Sequence, residues 1–217
     1  MVNMKILKSR DEWLKERSGS IGGSDAAAVV GMNPWTSNIE LWAEKTGRTV
    51  SEDISESPYV KYGTEAEQFL RELFRLDHPQ YKVFYAENNL FTNDSYPWAH
   101  ASLDGWLTDP EGRRGVLEIK TANISSPVTK RKWDDRIPDN YFCQVLFYMA
   151  VVEADFAVVK GQLKWDNGND ILLVTKHYHI ERADVESDID FLMQSCEKFW
   201  NEYVVKDVQP PIVLPNI

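Results

Sequence analysis

The spacing of hydrophobic and polar residues predicts that the first third of the chain is helical. The run YVKYGTEAEQFLRELFRL has the longest helical pattern, because its apolar residues recur at steps of three and four. The members of this apolar stripe are Ala66, Phe69, Leu70, Leu73 and Phe74. A long helix with one face on the core is therefore expected here.

Three shorter segments before this run contain residues that are typical of helix boundaries. SRDEWLKER, GGSDAAAVVG and TSNIELWAEKTG each contain a serine suited to an N-cap, namely Ser9, Ser24 and Ser37. Glu40 lies three residues after the last of these serines and completes a capping box. Two of the segments end in glycines that favour helix termination, Gly31 and Gly47.

The pattern changes to strands between residues 81 and 121. KVFYAENNLFT, WAHASLDGWLT and RGVLEIKTA are short, aromatic and β-branched, and the turn sequences NDSYP and DPEGRRG separate them. A helix around DNYFCQVLFYMAVV follows, then strands in DFAVVKGQL and DILLVTKHYHI, and a long amphipathic helix in DVESDIDFLMQSCEKFWNEYVV. This order predicts an α/β (α+β) fold with a central mixed β-sheet flanked by helices.

The length of 217 residues predicts a single domain over residues 1–217. We expect a helical part to about residue 80, a sheet and helix over about residues 81–180, and a C-terminal helix over about residues 183–206. Cys143 and Cys196 lie far apart in helical patterns, which predicts reduced structural thiols rather than a disulfide, an iron–sulfur cluster or a zinc site. The start of the chain has no apolar signal-peptide core and no long apolar run follows, so a soluble cytoplasmic protein is expected.

The acidic balance changes what kind of partner is expected. The chain has 34 acidic and 24 basic residues and a formal net charge of -10. Such a charge argues against a protein that coats nucleic acid with its whole surface, but it allows a local basic site. It also suits the binding of divalent cations.

The candidate chemistry lies in the segment SLDGWLTDPEGRRGVLEIKT. Successive strand residues point to opposite faces, so Glu118 and Lys120 share one face while Ile119 points the other way. The DPEGRRG turn can fold this strand back and bring Asp104 beside Glu118. Two converging carboxylates favour Mg²⁺ or Mn²⁺, and a nearby lysine can position or deprotonate a water or stabilise charge on a phosphate.

The same spacing also fits a structure without catalysis. Glu118 and Lys120 could form a cross-strand ion pair on a solvated face, with Asp104 acting only as a turn residue before Gly105. Residues elsewhere in the chain are needed to decide between these interpretations.

Five separated motifs supply that information. RSGSIGGSDAAAVVGMNPW, LWAEKTG, YGTEAE, SLDG with LEIK, and YFCQVLFYM occur in this order over about residues 15 to 180. In this set and order the chain resembles the lambda-exonuclease and YqaJ-type viral recombinase family of the PD-(D/E)xK nuclease superfamily. The resemblance implies a restriction-endonuclease-like core.

The resemblance also implies the roles of individual residues. The implied metal ligands are the side chains of Asp104, Glu118 and Glu67 and the backbone carbonyl of Ile119. Lys120 matches the catalytic lysine, and Gln144 matches a glutamine near the attacking water. Many relatives have Q-V-Q here, whereas this chain has leucine at position 146, so a secondary contact differs. Glu65 is expected to be an ordinary solvated glutamate.

The segment RSGSIGGSDAAA suggests an anion site. Glycines before a capping serine leave backbone N–H groups free at a helix start, although an ordinary capped helix explains them equally. The resemblance implies that Arg17, Ser24 and Ser102 bind the 5′-terminal phosphate of DNA. Asp25 stands next to this site and is unfavourable for an anion unless it points away.

Two basic segments, TKRKWDDR and EGRRG, are candidates for a DNA path, although solubility alone also explains them. The candidate residues of this path are Trp35, Arg113, Arg114, Lys130, Arg131, Lys132, Trp133 and Tyr141. Trp133 and Trp35 are the candidates for stacking on bases or for acting as a wedge. Family members are often toroidal trimers, so a homo-oligomer is expected by resemblance.

The resulting hypothesis is an Mg²⁺- or Mn²⁺-dependent DNA exonuclease with one or two ions per site. It would digest linear double-stranded DNA from 5′ to 3′ and leave 3′ overhangs for a single-strand annealing protein. The alternatives are an endonuclease of the same superfamily and a non-catalytic nucleic-acid-binding or phage–host interaction module. A Cas4-like enzyme is disfavoured because the chain has no cysteine cluster.

Overall fold

A computed structural model describes residues 1–50, 54–166 and 168–214, and within these residues the chain forms seven α-helices and nine β-strands. The helices are α1 (Arg10–Ser18), α2 (Gly23–Val29), α3 (Asn38–Lys45), α4 (Pro58–Asp77), α5 (Pro127–Arg131), α6 (Asp139–Val151) and α7 (Arg182–Phe199). The strands are β1 (Val2–Ile6), β2 (Ile21–Gly22), β3 (Lys82–Phe84), β4 (Asn89–Asn93), β5 (Tyr96–Ala101), β6 (Gly105–Thr108), β7 (Arg114–Asn123), β8 (Phe156–Asp166) and β9 (Ile171–Glu181).

The described strands form two mixed sheets. The larger has the order β3-β6-β7-β8-β9, with β7 and β8 parallel and the other pairs antiparallel. The smaller has the order β1-β4-β5-β2, in which β2 runs parallel to β5. Helices flank both sheets, which confirms the α/β fold class. The second sheet was not predicted.

The prediction that the first third is helical was wrong in two places. Residues Val2–Ile6 form β1, which pairs antiparallel with β4, and Ile21–Gly22 forms β2 beside β5. The sequence VNMKI alternates apolar and polar residues, which is a strand signal that the prediction did not use, although four of the five β1 residues are exposed. Its backbone hydrogen bonds to β4, a tertiary contact, hold it in place.

Two segments that were predicted as single strands are each divided between the sheets. The break between β5 and β6 lies at residues 102–104, where the buried Asn89 side chain replaces strand pairing. Its Nδ2 donates to the Leu103 carbonyl at 2.9 Å, and its Oδ1 accepts from the Leu103 amide at 2.8 Å. This break places Asp104 at the corner where the chain passes from one sheet to the other.

Strand β7 lies in the interior with a helix near each face. On one side Leu117 and Ile119 pack with Leu70 and Phe74 of α4, and on the other Val116 belongs to the core that contains α6. The predicted stripe on α4 is therefore narrower than expected. The α4 positions that face the sheet are spaced four residues apart. The predicted stripe members Phe69 and Leu73 lie beside that row and are exposed.

Three further predictions can be compared with the structure. Cys143 and Cys196 are both buried free thiols, as expected. Helix α7 and the π-helical turn Trp200–Val204 that continues it confirm the C-terminal helix. Among the described residues, every helix is too short or too polar to cross a lipid bilayer.

Candidate active site

The two acids of the SLDG and LEIK segments meet because β6 and β7 pair antiparallel. Their register sets Gly105 opposite Leu117, so the preceding residue, Asp104, lies beside the centre of β7. The Ile119 amide donates a hydrogen bond to Asp104 Oδ2 at 2.8 Å. The turn between these strands therefore brings the acids together, as the spacing predicted.

Glu118 is the most enclosed of these groups, with 1% of its surface exposed. Its Oε1 accepts hydrogen bonds from Lys120 Nζ at 2.6 Å and from Gln144 Nε2 at 2.9 Å. Its Oε2 is also buried and accepts no hydrogen bond from any described residue. The predicted ion pair between Glu118 and Lys120 is therefore present. It does not lie on a solvated face, however, because Glu118 is buried.

Glu67 joins the site from α4 together with Arg71, one turn further along the helix. Arg71 Nη1 donates to Glu67 Oε1 at 2.8 Å and to the Asp104 backbone carbonyl at 2.7 Å. The guanidinium is buried and lies 3.5 Å from the centre of the Tyr85 ring. Gly63 permits this approach, because a Cβ there would lie 3.3 Å from Thr121 Oγ1 on β7.

Burial dominates the electrostatics of the three carboxyls. Burial and the charge of Asp104 raise the pKa of Glu118 to about 8 and that of Glu67 to about 7. Burial also raises the pKa of Asp104. Burial alone would lower the pKa of Lys120, but Glu118 and Asp104 raise it above its ordinary value, so the ammonium stays charged at neutral pH.

The donor set of this site fits a hard divalent cation. Buried, mutually repelling carboxylates and an acceptor oxygen without a partner are the groups that a metal ion would neutralise. Among the described residues, no three carboxylate, imidazole or thiol groups lie together as a complete metal-binding cluster. Mg²⁺ commonly takes one or two carboxylates and keeps several waters, so Asp104 and Glu118 are sufficient as its protein core.

Gln144 is held in position by its own helix. Its Nε2 donates both to Glu118 and, at 3.0 Å, to the hydroxyl of Tyr148 one turn later on α6. The Tyr148 ring lies directly against the backbone of Gly23, where an added Cβ would overlap it. Gly22 is equally constrained, because a Cβ there would lie 2.7 Å from His100 Nε2. Both glycines of the GGSD segment therefore make room for side chains.

Arg17 is held between two rings. Its guanidinium carbon lies 4.0 Å from the centre of the Trp13 ring, and its Nε donates to His100 Nε2 at 3.4 Å. His100 Nδ1 lies 2.7 Å from Ser20 Oγ. Burial, followed by the charge of Arg17, lowers the pKa of His100 to about 3, so the imidazole is neutral and can accept from the arginine.

The serines near Arg17 differ from expectation. The N-cap of α2 is Gly22 and not Ser24, because the Asp25 carboxylate accepts from the Gly22 amide at 2.9 Å and so fixes the helix start. Lys45 Nζ lies 2.7 Å from Asp25 Oδ2 and neutralises its charge, so Asp25 does not oppose an anion at this site. Ser102 Oγ donates to the Asn89 carbonyl at 2.8 Å and accepts from Trp13, so it supports that ring.

These side chains line one cavity of about 370 Å³. The predicted site residues that it contains are Arg17, Ser24, Glu67, Ser102, Asp104, Glu118, Lys120 and Gln144. Residues from the two sheets, α1, α2, α4 and α6 therefore converge on one place.

Comparison with known proteins identifies the family of this chain. Residues 12–155 match the YqaJ-like viral recombinase domain, over more than half of the chain. The chain belongs to the YqaJ-like viral recombinase domain family. It is 33% identical over 211 residues to protein YqaJ of Bacillus subtilis (strain 168), covering 94% of this chain and 59% of that protein. The chain thus spans less than two thirds of this relative, and the family resemblance predicted from the five motifs is confirmed.

Solved exonucleases share the fold. The alkaline exonuclease LHK-Exo of Laribacter hongkongensis is similar with a TM-score of 0.58 and 18% identity, over 91% of this chain and 97% of that one. A second crystal structure of LHK-Exo, in complex with dAMP, matches equally. A phage-related exonuclease of Haemophilus somnus 129PT has a TM-score of 0.51 and 11% identity, over 87% and 96%. These matches show that the chain shares the fold of these exonucleases.

Four residues of the YqaJ-like site were not predicted from sequence. Arg71, Tyr148 and Trp13 each lie one helical turn from a predicted residue, at four-residue spacing from Glu67, Gln144 and Arg17. That spacing was a usable signal, because side chains four apart on a helix are neighbours. The fourth, His100, lies on β5, and no sequence motif marks it.

The predicted DNA-path residues of the YqaJ-like chain separate into two groups. Trp35, Lys132, Trp133 and Tyr141 line a second cavity beside the first. Trp133 is only 2% exposed, which corrects its prediction as a wedge or exposed stacking residue, since its ring is packed under Tyr141 and Tyr178.

The remaining predicted path residues lie elsewhere. Arg113 pairs with Asp109 at 2.7 Å and Glu181 at 2.9 Å. Arg114, at the start of β7, is about 13 Å along the strand from Glu118. Lys130 and Arg131 are part of α5 and not of a loop, because Ser126 caps a short helix there. None of these four lines either cavity.

Proposed function

We propose that this chain is an Mg²⁺- or Mn²⁺-dependent deoxyribonuclease that digests linear double-stranded DNA from its 5′ ends. The observation that carries the proposal is the buried Glu118 carboxylate, which contacts Lys120 and Gln144 through Oε1 while Oε2 has no hydrogen-bond donor among the described residues. A buried acceptor without a partner destabilises a fold, so such an arrangement is typical of a site that binds a ligand. The family and the exonuclease fold support the same reaction class.

The side chains divide the work of phosphodiester hydrolysis between them. Asp104, Glu118, Glu67 and the Ile119 carbonyl would hold one or two metal ions, and a bound ion supplies an activated water and neutralises charge on the phosphate. Lys120 remains protonated, so it stabilises developing negative charge rather than removing a proton from water. Gln144 has its amide nitrogen fixed by Glu118 and Tyr148, which leaves its oxygen to orient the attacking water.

Arg17 supplies the end specificity in this proposal. It lines the same cavity as the acids, and Ser24 and Ser102 lie there with it. A 5′-terminal phosphate bound by Arg17 would place the first phosphodiester bond at the carboxylates, because both groups belong to one 370 Å³ space. The products would be mononucleotides and a 3′ overhang. The complex of the fold relative LHK-Exo with dAMP supports a mononucleotide product.

The wider biological setting follows from the resemblance. A single-strand annealing protein would bind the exposed 3′ strand, and a homotrimer would enclose the duplex. We propose that the chain acts on DNA in the cytoplasm of a host cell, as one domain over residues 1–217.

The test is digestion of three DNA substrates with Mg²⁺: 5′-phosphorylated linear duplex, 5′-hydroxyl linear duplex and covalently closed circles. We expect the wild type to degrade the phosphorylated duplex fastest and to leave the circles intact. Lys120→Ala should lose at least about a hundredfold in kcat, because a removed charge stabiliser typically costs that much. Glu65→Gln, on the exposed side of α4, is the matched control and should keep full activity.

Each alternative has its own outcome in this assay. Cleavage of the closed circles identifies an endonuclease. Inactivity of the wild type on all three DNAs, with Mg²⁺ and with Mn²⁺, identifies a non-catalytic binding module. Equal rates on phosphorylated and hydroxyl ends contradict the role given to Arg17 while leaving the nuclease intact.

A further inference from the structure

A second cavity of about 430 Å³ adjoins the candidate active site along three shared elements. On β7 the lining changes from Lys120 in the first cavity to Thr121 in the second, and on α6 it changes from Gln144 to Tyr141. The Lys120 ammonium lies 5.0 Å from the centre of the Tyr141 ring, so these two residues form the common wall. No residue of α1, which carries Arg17, lines the second cavity.

The lining of this cavity is aromatic and basic. Five aromatic residues and two lysines are among its members, and none of them is an aspartate or a glutamate. These residues, which define the aromatic cleft, are Trp35, Tyr59, Tyr62, Trp133, Tyr141, Lys132 and Lys164. In a chain with ten more acids than bases, a wall without acids marks a place where negative charge is accepted.

The cleft combines a fixed floor with open rings at its rim. Trp133 forms the floor, and Lys176 Nζ donates to its backbone carbonyl at 2.7 Å. At the rim, Trp35 is 72% exposed and Tyr59 is 70% exposed. Exposed rings beside lysines are suited to binding alternating bases and phosphates.

Two neighbouring side chains fix the position of the Tyr62 ring. Its hydroxyl donates to Gln162 Oε1 at 3.1 Å, and the Lys164 ammonium lies 5.1 Å from the centre of its ring. Tyr62 is five residues before Glu67 on α4, which is about 7.5 Å along a helix. At about 3.4 Å per stacked nucleotide, this distance spans about two nucleotides, which are the second and third when the bond after the first lies at the carboxylates.

We propose that the aromatic cleft binds nucleobases of the DNA strand under digestion, at the second and third nucleotides from its 5′ end, by stacking and without sequence preference. This inference rests on the proposed nuclease function. It goes beyond that function by assigning the path of the digested strand after the metal-binding acids. The stacking would draw the 5′ strand away from its complement and hold it in place between cleavage steps.

The test uses duplexes with a 5′-phosphate and a single 2-aminopurine at successive positions of the digested strand. With Ca²⁺ in place of Mg²⁺ to limit cleavage, fluorescence should fall on binding when the probe is second or third from the 5′ end. Trp35→Ala should abolish this quenching and raise KM for the duplex about tenfold with little change in kcat, as expected for one lost stacked base. Trp35→Phe should restore both.

Phe69→Ala is the matched control, because Phe69 is 63% exposed on α4 but outside the cleft. It should behave like the wild type in quenching and in KM. If Trp35→Ala and Tyr59→Ala match this control while the wild type digests DNA normally, the cleft proposal is overturned and the nuclease proposal stands. If the wild type neither binds nor digests any of the duplexes, both proposals fall together.

Discussion

Burial of Glu118 should make the contribution of this residue to the stability of the metal-free protein less favourable at neutral than at acidic pH. Burial and Asp104 raise the pKa of Glu118 to about 8 from its ordinary value of 4.5. The Glu118 carboxyl group therefore loses its proton near pH 4.5 in the unfolded chain but only near pH 8 in the folded chain. Stability is lost as the pH rises between these values, and at pH 7 the loss is on the order of 3 kcal/mol.

Glu118→Gln tests this reasoning directly. Glutamine keeps the shape and an acceptor oxygen but removes the charge, while it also weakens the 2.6 Å contact with Lys120. Because these effects oppose each other, we expect a net gain of about 1–2 kcal/mol in the free energy of unfolding at pH 7, shrinking toward zero at pH 5. The measurement is urea denaturation in EDTA, followed by tryptophan fluorescence, with the exposed Glu65→Gln as control.

Magnesium supplies the second half of the experiment. The wild type should gain about 2.7 kcal/mol when the metal is at a hundred times its Kd, whereas Glu118→Gln should gain almost nothing. A variant that is less stable than the wild type at pH 7, or that has the same advantage at pH 5 and pH 7, refutes the assignment of the penalty to this carboxylate. Equal stabilisation of both proteins by Mg²⁺ refutes the assignment of the metal.

Three further substitutions examine the supports of the site by urea denaturation. Arg71→Gln leaves the Glu67 carboxylate without its ion-pair partner and should cost about 3 kcal/mol, and an unchanged midpoint contradicts this. Gly23→Ala should cost about 1–3 kcal/mol and lower kcat by displacing Tyr148, whereas Gly19→Ala, whose Cβ would make an ordinary 3.8 Å contact with the Glu16 carbonyl oxygen, should do neither. The pKa of His100 is lowered to about 3 by burial and then by Arg17, so its contribution to stability is lost as the pH falls below 6.5. This loss is about 2 kcal/mol at pH 5, and His100→Gln should abolish it.

The sequence predicted the site better than its surroundings because the motifs carry chemistry that the fold has to bring together. The spacing of Asp104, Glu118 and Lys120 required only alternation along a strand and one turn, and both are local properties. Glu67 and Gln144 came from family resemblance, and the structure sets both in the cavity of the acids. Their roles in catalysis remain predictions.

The errors have a common physical origin in contacts between distant parts of the chain. Strand β1 is only five residues long and mostly exposed, and pairing with β4 holds it in place. Trp133 resembled an exposed stacking residue in a basic loop, yet Lys176 and the strands beneath it fix it as a floor. None of these partners can be identified from neighbouring residues.

The structure also explains how an acidic chain can keep a positive charge available for DNA. Arg71 and Arg113 are each neutralised by carboxylates at 2.7–2.9 Å. Arg17 has no carboxylate within ion-pair distance in the described residues, and the Trp13 face and the neutral His100 hold it instead. A ring and an uncharged imidazole fix the guanidinium without cancelling its charge. Arg17 therefore keeps its positive charge beside the acids, where a DNA end can bind it although the chain as a whole has a net charge of -10.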